Sequence, residues 1–550
     1  MILFNQQSAP NMQTTTISKE LMQKLLRISS ALSSEKDINQ LLENILQAAM
    51  QITNADAGTL YRVVDDQVLK FEIVHTRSKG VHLGGKSPHP IGIPPLPLFD
   101  AAGKPDLGRV ACYAVHKAET VNIPDAYNAK GFDFTGTHKF DAANNYRSVS
   151  FLTVPMKNHE SEIIGVLQLI NATNPENGEI TPFSVENQEI VEALSSQAAV
   201  ALTNRMLILH LEELFESFIG LINHAIDDKS PYTGGHCNRV PDLTMMLADA
   251  VNRCNTGPLK DFSLNDGDRQ ELKIAGLLHD CGKITTPVHV VDKSTKLEKI
   301  FDRIHLIETR TEIALRDIDI LLAKDIISED EATSRRNQLI EDFNFLSHCN
   351  IGGEFMKDGD IQRVHDISTR YSWQDISGKQ NPFLDAEEVT NLTIRAGTLN
   401  DAERQIINHH IDLTISMLEK LPWPKHLKNV TEYAGGHHER MDGKGYPKGL
   451  TREQMSVPAR CMGIADIFEA LTAKDRPYKK GKTLSESLDI LGKMKLGQHV
   501  DPDLFDIFIW EKVYEEYAHK FMDESQIDLV DVNKIPGYNP PPPDYQLAKN

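Results

Sequence analysis

Cysteine is scarce in this chain: six residues in 550, at positions 112, 237, 254, 281, 349 and 461, with no CxxC pair among them. That excludes a disulfide framework and a zinc ribbon and fits reduced thiols. Long apolar runs are missing as well, since none approaches the ~18–20 residues of a bilayer-spanning helix. The opening MILFNQQSAP has neither a basic stretch nor a long apolar core. No secretory signal or membrane partner is therefore expected, and the expected location is cytoplasmic. Basic charge is in deficit, with 58 Lys and Arg against 78 Asp and Glu and a formal charge of −20. General nucleic-acid binding needs a basic face and is set aside. A small anionic substrate is not, because metal ions and a few local cations can dominate one pocket.

What is present is an ordinary globular composition, 40% hydrophobic and 25% charged, on a chain too long for one core. Residues 1–17 read as a tail. Residues 18–205 alternate helix and strand: a helical stretch broken by SSEKD, then VLKFEIVH with Leu69, Phe71 and Ile73 expected on one face, then VSFLTVPM and EIIGVLQLINA. An antiparallel sheet with helices on one side fits that order. Residues 206–230 continue a long helix. Val200, Asn204, Leu207, Leu211, Leu214, Phe218, Leu221 and Ala225 alternate spacings of 4 and 3, a heptad seam that predicts a parallel two-stranded coiled coil and a homodimer. From 231 to 533 the pattern is helical without alternating strands, and the proline-rich end, 534–550, reads as an extended tail. The fold class is multidomain: an α+β domain, a connecting helix and an all-α domain.

The chemistry begins at EYAGGHHERMDGKGYPKGL, where His437 and His438 stand together ahead of a glycine-rich loop. Other ligand-type residues are His236 in PYTGGHCNRV, the trio His279, Asp280 and Lys283 in LLHDCGKI, His409 and His410 in INHHIDLT, and Asp466 in GIADIFEAL. An ionised Asp466 among apolar neighbours requires a cation or hydrogen-bond donors. On a helix His279 and Asp280 diverge by about 100°. A carboxylate bridging two ions, one oxygen to each, resolves that conflict. Five imidazoles and two carboxylates without a thiolate suit a pair of octahedral ions, iron or manganese first, with nickel, magnesium or zinc as alternatives. The glycines after the double histidine would let backbone approach a bound phosphate.

HDCGK followed far downstream by HHERMDGKGYP resembles the HD-GYP family of cyclic dinucleotide phosphodiesterases, within the HD metal-dependent phosphohydrolases. YTGGH, ADIFEAL and DRPYKK occur in the family's order. The resemblance implies metal ligands at His236, His279, Asp280, His410, His437, His438 and Asp466, with Asp280 bridging two divalent ions and sharing the catalytic role with Lys283. It implies phosphate or substrate contacts by Lys283, Arg476 and Lys479, with the Gly443, Gly445 and Tyr446 loop beside them. The helix opening LNDAERQIINHH selects His410 over His409, and His305 is rejected. Tyr232 stands where members proposed to hold three metals carry Glu, so two ions are expected. About 100 residues, 296–398, interrupt the usual spacing; SEDE, with Ser328 and Glu331, has a capping-box pattern, and the insertion reads as a helical hairpin near the mouth of the site.

Residues 18–205 resemble a GAF domain, a sensor fold. Asn171, Phe183 and Glu186 echo the signature of cyclic-nucleotide-binding members, but Ala172 departs from it, so the ligand stays an unidentified small molecule. The implied reaction is hydrolysis of cyclic di-GMP to pGpG, and possibly GMP, by a metal-bridged hydroxide under control of the sensor domain. The alternatives are a 3′,3′-cyclic GMP-AMP phosphodiesterase and a catalytically weak cyclic dinucleotide receptor.

Overall fold

The computed structural model describes residues 30–31, 34–35, 37–229, 235–353, 355–474, 481–543 and 545. Tyr232, Arg476 and Lys479 lie outside the described residues. Two compact units divide at Phe215/Glu216, ten residues beyond the expected end of the first domain and inside a continuous helix.

The first unit opens with α1 (Ile38–Thr53), started by Asp37, whose carboxylate accepts from the Asn39 and Gln40 amides. Its apolar face, Leu41, Leu42, Ile45, Leu46 and Met50, is buried. Next come β1 (Ala55–Val64), β2 (Val68–Thr76), β3 (Val81–Gly84), β4 (Leu96–Pro97), α2 (Val110–Lys117), β5 (Val121–Ile123), α3 (Thr135–Asn144), β6 (Phe151–Lys157), β7 (Ile163–Thr173), β8 (Ile180–Thr181) and the long α4 (Val185–Lys229). The sheet runs β3-β2-β1-β7-β6-β5, with β4 on β2 and β8 on β7. Neighbouring strands pair antiparallel.

Two expectations need correction here. Helical chain covers both faces of the sheet rather than one: α1 and the start of α4 pack on Leu60, Leu152, Leu167 and Leu169, whereas α2 packs on Tyr61, Leu69 and Val166. Leu69, Phe71 and Ile73 do not share a face. Leu60 pairs with Ile73 and Tyr61 with Phe71, so Glu72 is an extra residue, and this bulge flips the alternation. Leu69 and Phe71 join the α2 side and Ile73 the α1 side. On the α2 side a cavity of about 610 Å³ is lined by Tyr61, Phe71, Phe134, Phe140, Tyr146 and Gln168, among others.

The second unit is built on α5 (His236–Arg253), α6 (Asp266–Leu278), the short α7 (Val288–Val291), α8 (Ile304–Ala323), α9 (Glu329–Asn350), α10 (Asp358–Arg370), α11 (Ala386–Leu392), α12 (Asp401–Leu418), α13 (Val430–Gly435), α14 (Val457–Thr472), α15 (Leu484–Leu496), α16 (Pro502–Trp510) and α17 (Val513–Phe521). A small hairpin, β9 (Ser372–Gln374) with β10 (Gln380–Pro382), interrupts the all-helical pattern expected there.

The insertion is more than a helical hairpin. α8 and α9 do pair, but α10, α11 and the chain between them close a separate apolar core of Leu297, Ile307, Leu339, Leu346, Val364 and Phe383. Ser328 caps α9 by accepting from the Glu331 amide. The described part of the proline-rich end also packs where an extended tail was expected. Ile535 is buried, Lys495 donates to the Gly537 carbonyl at 2.6 Å, and Trp510 donates to the Asn539 carbonyl at 2.7 Å. Among the described residues, no helix is long and apolar enough to cross a membrane.

Candidate metal centre

All seven residues expected to bind metal meet within the second unit, from five places in the chain. His236 opens α5. His279 and Asp280 follow the last turn of α6, so they are not on a continuous helix as expected. Gly282 lets this turn press against α12, since a Cβ there would collide with the His410 carbonyl and the Thr414 amide. His410 lies on the inner face of α12, and its neighbour His409 is exposed and bonded to Asp412 at 3.0 Å. His437 and His438 follow α13, and Asp466 lies in mid-α14. His305 is exposed and bonds to Glu308.

Asp280 joins the two halves of this cluster. Its Oδ2 lies 3.2 Å from His236 Nε2 and 3.3 Å from His279 Nε2, and its Oδ1 lies 3.2 Å from His410 Nε2. The α6 helix ends before His279, which lets His279 and Asp280 face a common point despite their sequence adjacency. Asp466 spans the halves too: Oδ1 is 3.3 Å from His236 Nε2, and Oδ2 is 4.0 Å from His438 Nδ1. Potential ligand atoms fall into two tight groups, His236–His279–Asp280 and His410–His437–His438, with separations within 4.8 Å inside each.

The backbone sets the orientation of three rings. His279 Nδ1 donates to the Gly276 carbonyl at 2.7 Å, His437 Nδ1 to the Ala434 carbonyl at 2.6 Å, and His410 Nδ1 to the Ile407 carbonyl. Each bond reaches three residues back and turns Nε2 into the cluster. Burial pushes His437 well down and His438 to about 4, keeping both neutral at neutral pH. Burial opposes the charged form of Asp280, but Lys283 and His279 outweigh it and hold this carboxyl well below its usual range. For Asp466, burial is likewise outweighed, chiefly by the hydrogen bond from His236.

A cation fits these residues. His410 Nε2, His437 Nε2 and Asp280 Oδ1 are buried and have no hydrogen-bond partner. Orphaned atoms of that kind cost about 1–3 kcal/mol each unless something binds them. The donor set contains no thiolate, since neither group of ligand atoms includes a cysteine.

Sequence reasoning missed two buried glutamates. Glu469, one turn after Asp466 on α14, accepts from His236 Nδ1 at 2.5 Å and from Arg239 Nε at 2.7 Å. The i, i+3 spacing of Asp466 and Glu469 was the available signal. Glu439 accepts from the Lys448 amide at 2.7 Å and the Leu450 amide at 2.9 Å, tying down the glycine-rich loop. This loop's own packing accounts for its glycines. Gly443 has φ +74°, and a Cβ on Gly445 would collide with the backbone of Glu439 and Arg440. Tyr446 stacks on His438, with ring centres 4.8 Å apart. Lys283 pairs with Asp280 Oδ2 at 2.5 Å rather than standing free.

Comparison with known proteins matches this arrangement. Residues 37–202 match the GAF domain, and residues 233–340 and 386–504 match two HD-domain families. The chain thus carries a GAF-like region followed by a helical HD-like region. The two HD matches leave 341–385 between them, within the insertion.

A 3′3′-cGAMP-specific phosphodiesterase of Vibrio cholerae is 35% identical over 301 residues, covering 55% of this chain and 42% of that protein. Another from the same organism is 23% identical over 337 residues, covering 60% and 48%. A cyclic di-GMP phosphodiesterase of Pseudomonas aeruginosa is 36% identical over 115 residues, covering 21% and 27%. The matches thus span under half the length of these relatives.

In the GAF domain, the three signature-like residues do not line the cavity. Asn171 bonds the Val149 amide and the Arg147 carbonyl, Phe183 is in the core, and Glu186 is exposed.

Proposed function

We propose that the HD domain is a metal-dependent phosphodiesterase that opens a cyclic dinucleotide, cyclic di-GMP to pGpG and possibly on to GMP, under control of the GAF domain. The observation that carries this reading is the pair of adjoining ligand groups joined through the two oxygens of Asp280. His236, His279, Asp280, His410, His437, His438 and Asp466 would hold two divalent ions, iron or manganese, with nickel, magnesium or zinc as alternatives. Such ions supply Lewis-acid charge to a phosphodiester and to the attacking water.

The chain's own residues do the rest. The Nδ1-to-carbonyl bonds fix three rings before any ligand arrives, so little reorganisation remains. Lys283, held charged by Asp280 although burial opposes it, places a positive group beside the bridging carboxylate. From there it can offset negative charge developing on a phosphoryl group. Tyr446, stacked on His438, offers an aromatic surface to a base. Arg476 and Lys479 supply further positive charge for the second phosphate.

The names of the two Vibrio relatives favour 3′,3′-cyclic GMP-AMP as a second substrate reading. Anaerobic purification with metal quantitation, followed by product analysis on both dinucleotides, tests the proposal. Linear products that disappear with Asp280→Ala are expected. A metal-loaded chain that leaves both dinucleotides intact overturns the reading.

The dimer is proposed through α4. Leu207, Leu211, Leu214, Phe218 and Leu221 form a helical stripe that is exposed in the single chain, and a second copy of the same stripe is the partner that the heptad spacing suits. The ligand of the GAF domain is a small molecule held in the cavity on its α2 side.

A further inference from the structure

A second cluster of ligand-type side chains lies in the GAF domain. His75 on β2 and His82 on β3 are direct cross-strand partners, and their rings stack 5.0 Å apart. Ile73, two residues before His75, packs against α1, and side chains two apart on a strand share a face. Glu43 reaches the pair from α1. Its buried carboxylate places Oε2 3.0 Å from His82 Nε2, while Oε1 accepts from Gln47 Nε2 at 2.8 Å. One potential ligand atom from each of Glu43, His75 and His82 lies within 4.8 Å of the other two.

Two observations go beyond a Glu43–His82 ion pair. His75 Nδ1 is buried and has no hydrogen-bond partner, so the ion pair leaves this ring unexplained. Gly85 has φ +56°, and a Cβ there would stand 2.6 Å from Glu43 Oε2. The backbone after β3 therefore makes room for the oxygen that faces the histidines. Gln47 meanwhile orients the carboxylate from behind, as outer partners do at metal sites.

We propose that Glu43, His75 and His82 bind one divalent transition-metal ion, separate from the HD centre. Two imidazoles and one carboxylate without a thiolate suit zinc, iron or manganese over calcium. Bonds of about 2.0–2.2 Å bring such atoms to roughly 3–4 Å from each other, a small closure of the present cluster. The His82 side chain is 35% exposed, so the remaining coordination positions face solvent. Bound there, the ion clips α1 to the β2–β3 hairpin.

The test uses the full chain, stripped with chelator, with both ligand groups of the HD centre disabled by His279→Ala, Asp280→Ala, His437→Ala and His438→Ala. Titration with Zn²⁺ by calorimetry is expected to show one ion per protomer, and adding His75→Ala and His82→Ala removes it. Glu43→Gln, which keeps the side chain's size, weakens binding about 10-fold or more. Co²⁺ in place of Zn²⁺ reports the same site by its visible absorption, lost in the same variants. Circular dichroism and metal-free melting check the fold. If the double alanine variant does not fold, Glu43→Gln and His82→Gln decide singly. Unchanged zinc stoichiometry and affinity in the variants, or no zinc bound by the HD-disabled chain, overturns the proposal.

Discussion

Glu469 lies within the ADIFEAL motif without an expected role, yet it receives His236 Nδ1 and so decides which nitrogen that ring presents to the centre. Glu469→Gln is expected to lower metal affinity about 10–100-fold while the fold survives, measured by chelator competition. Asp280→Ala is expected to abolish turnover and release metal, because both halves of the centre lose their common carboxylate; elemental analysis per protomer checks it. Acid behaviour at His438 follows from burial. Its pKa is about 4 in the fold against ~6.5 in the unfolded chain. Between those values the unfolded chain takes up a proton that the fold refuses, so this residue's contribution lowers stability as pH falls from about 6.5 to 4. In metal-free protein, His438→Gln is expected to flatten that part of the stability–pH curve, read by chemical denaturation.

The helices gain their meaning where they end or meet. α6 stops at Leu278, and this stop turns two neighbouring residues toward one point. Lys293, just before the insertion, links it to α12, the helix of His410: its buried Nζ lies 2.8 Å from both Glu403 oxygens on α12 and 3.1 Å from Oδ1 of Asn391 within the insertion. Lys293→Met leaves Glu403 buried and unpaired, an expected loss of about 3–5 kcal/mol in the second unit. Hydrogen exchange along α12 and α11 would locate it; unchanged protection there would refute the linking role. The core closed by Leu346 and Val364 explains why the insertion is more than two helices, since a lone hairpin could not cover that apolar surface.

For the whole molecule, the proposed reading makes the GAF cavity, the exposed seam on α4 and the HD centre parts of a sensor-controlled enzyme. Leu214→Pro breaks the helix, at about 3 kcal/mol, in the middle of the seam. A fall from dimer to monomer mass by light scattering is the expected outcome, and an unchanged dimer would place the interface elsewhere.

The alternating and helical patterns along the chain were enough for the fold class, and the resemblance of HDCGK and HHERMDGKGYP to the HD-GYP family implied the candidate ligands and the choice of His410, because motif order and side-chain type are local properties. The bulge at Glu72, the second face of the sheet, the insertion's own core, the packed stretch through Asn539 and the roles of Glu469 and Glu439 came only with tertiary structure. Each depends on which distant segment packs against a residue, as Asp280 Oδ1 meets His410 from 130 positions away. The sequence alone carries no record of that distance.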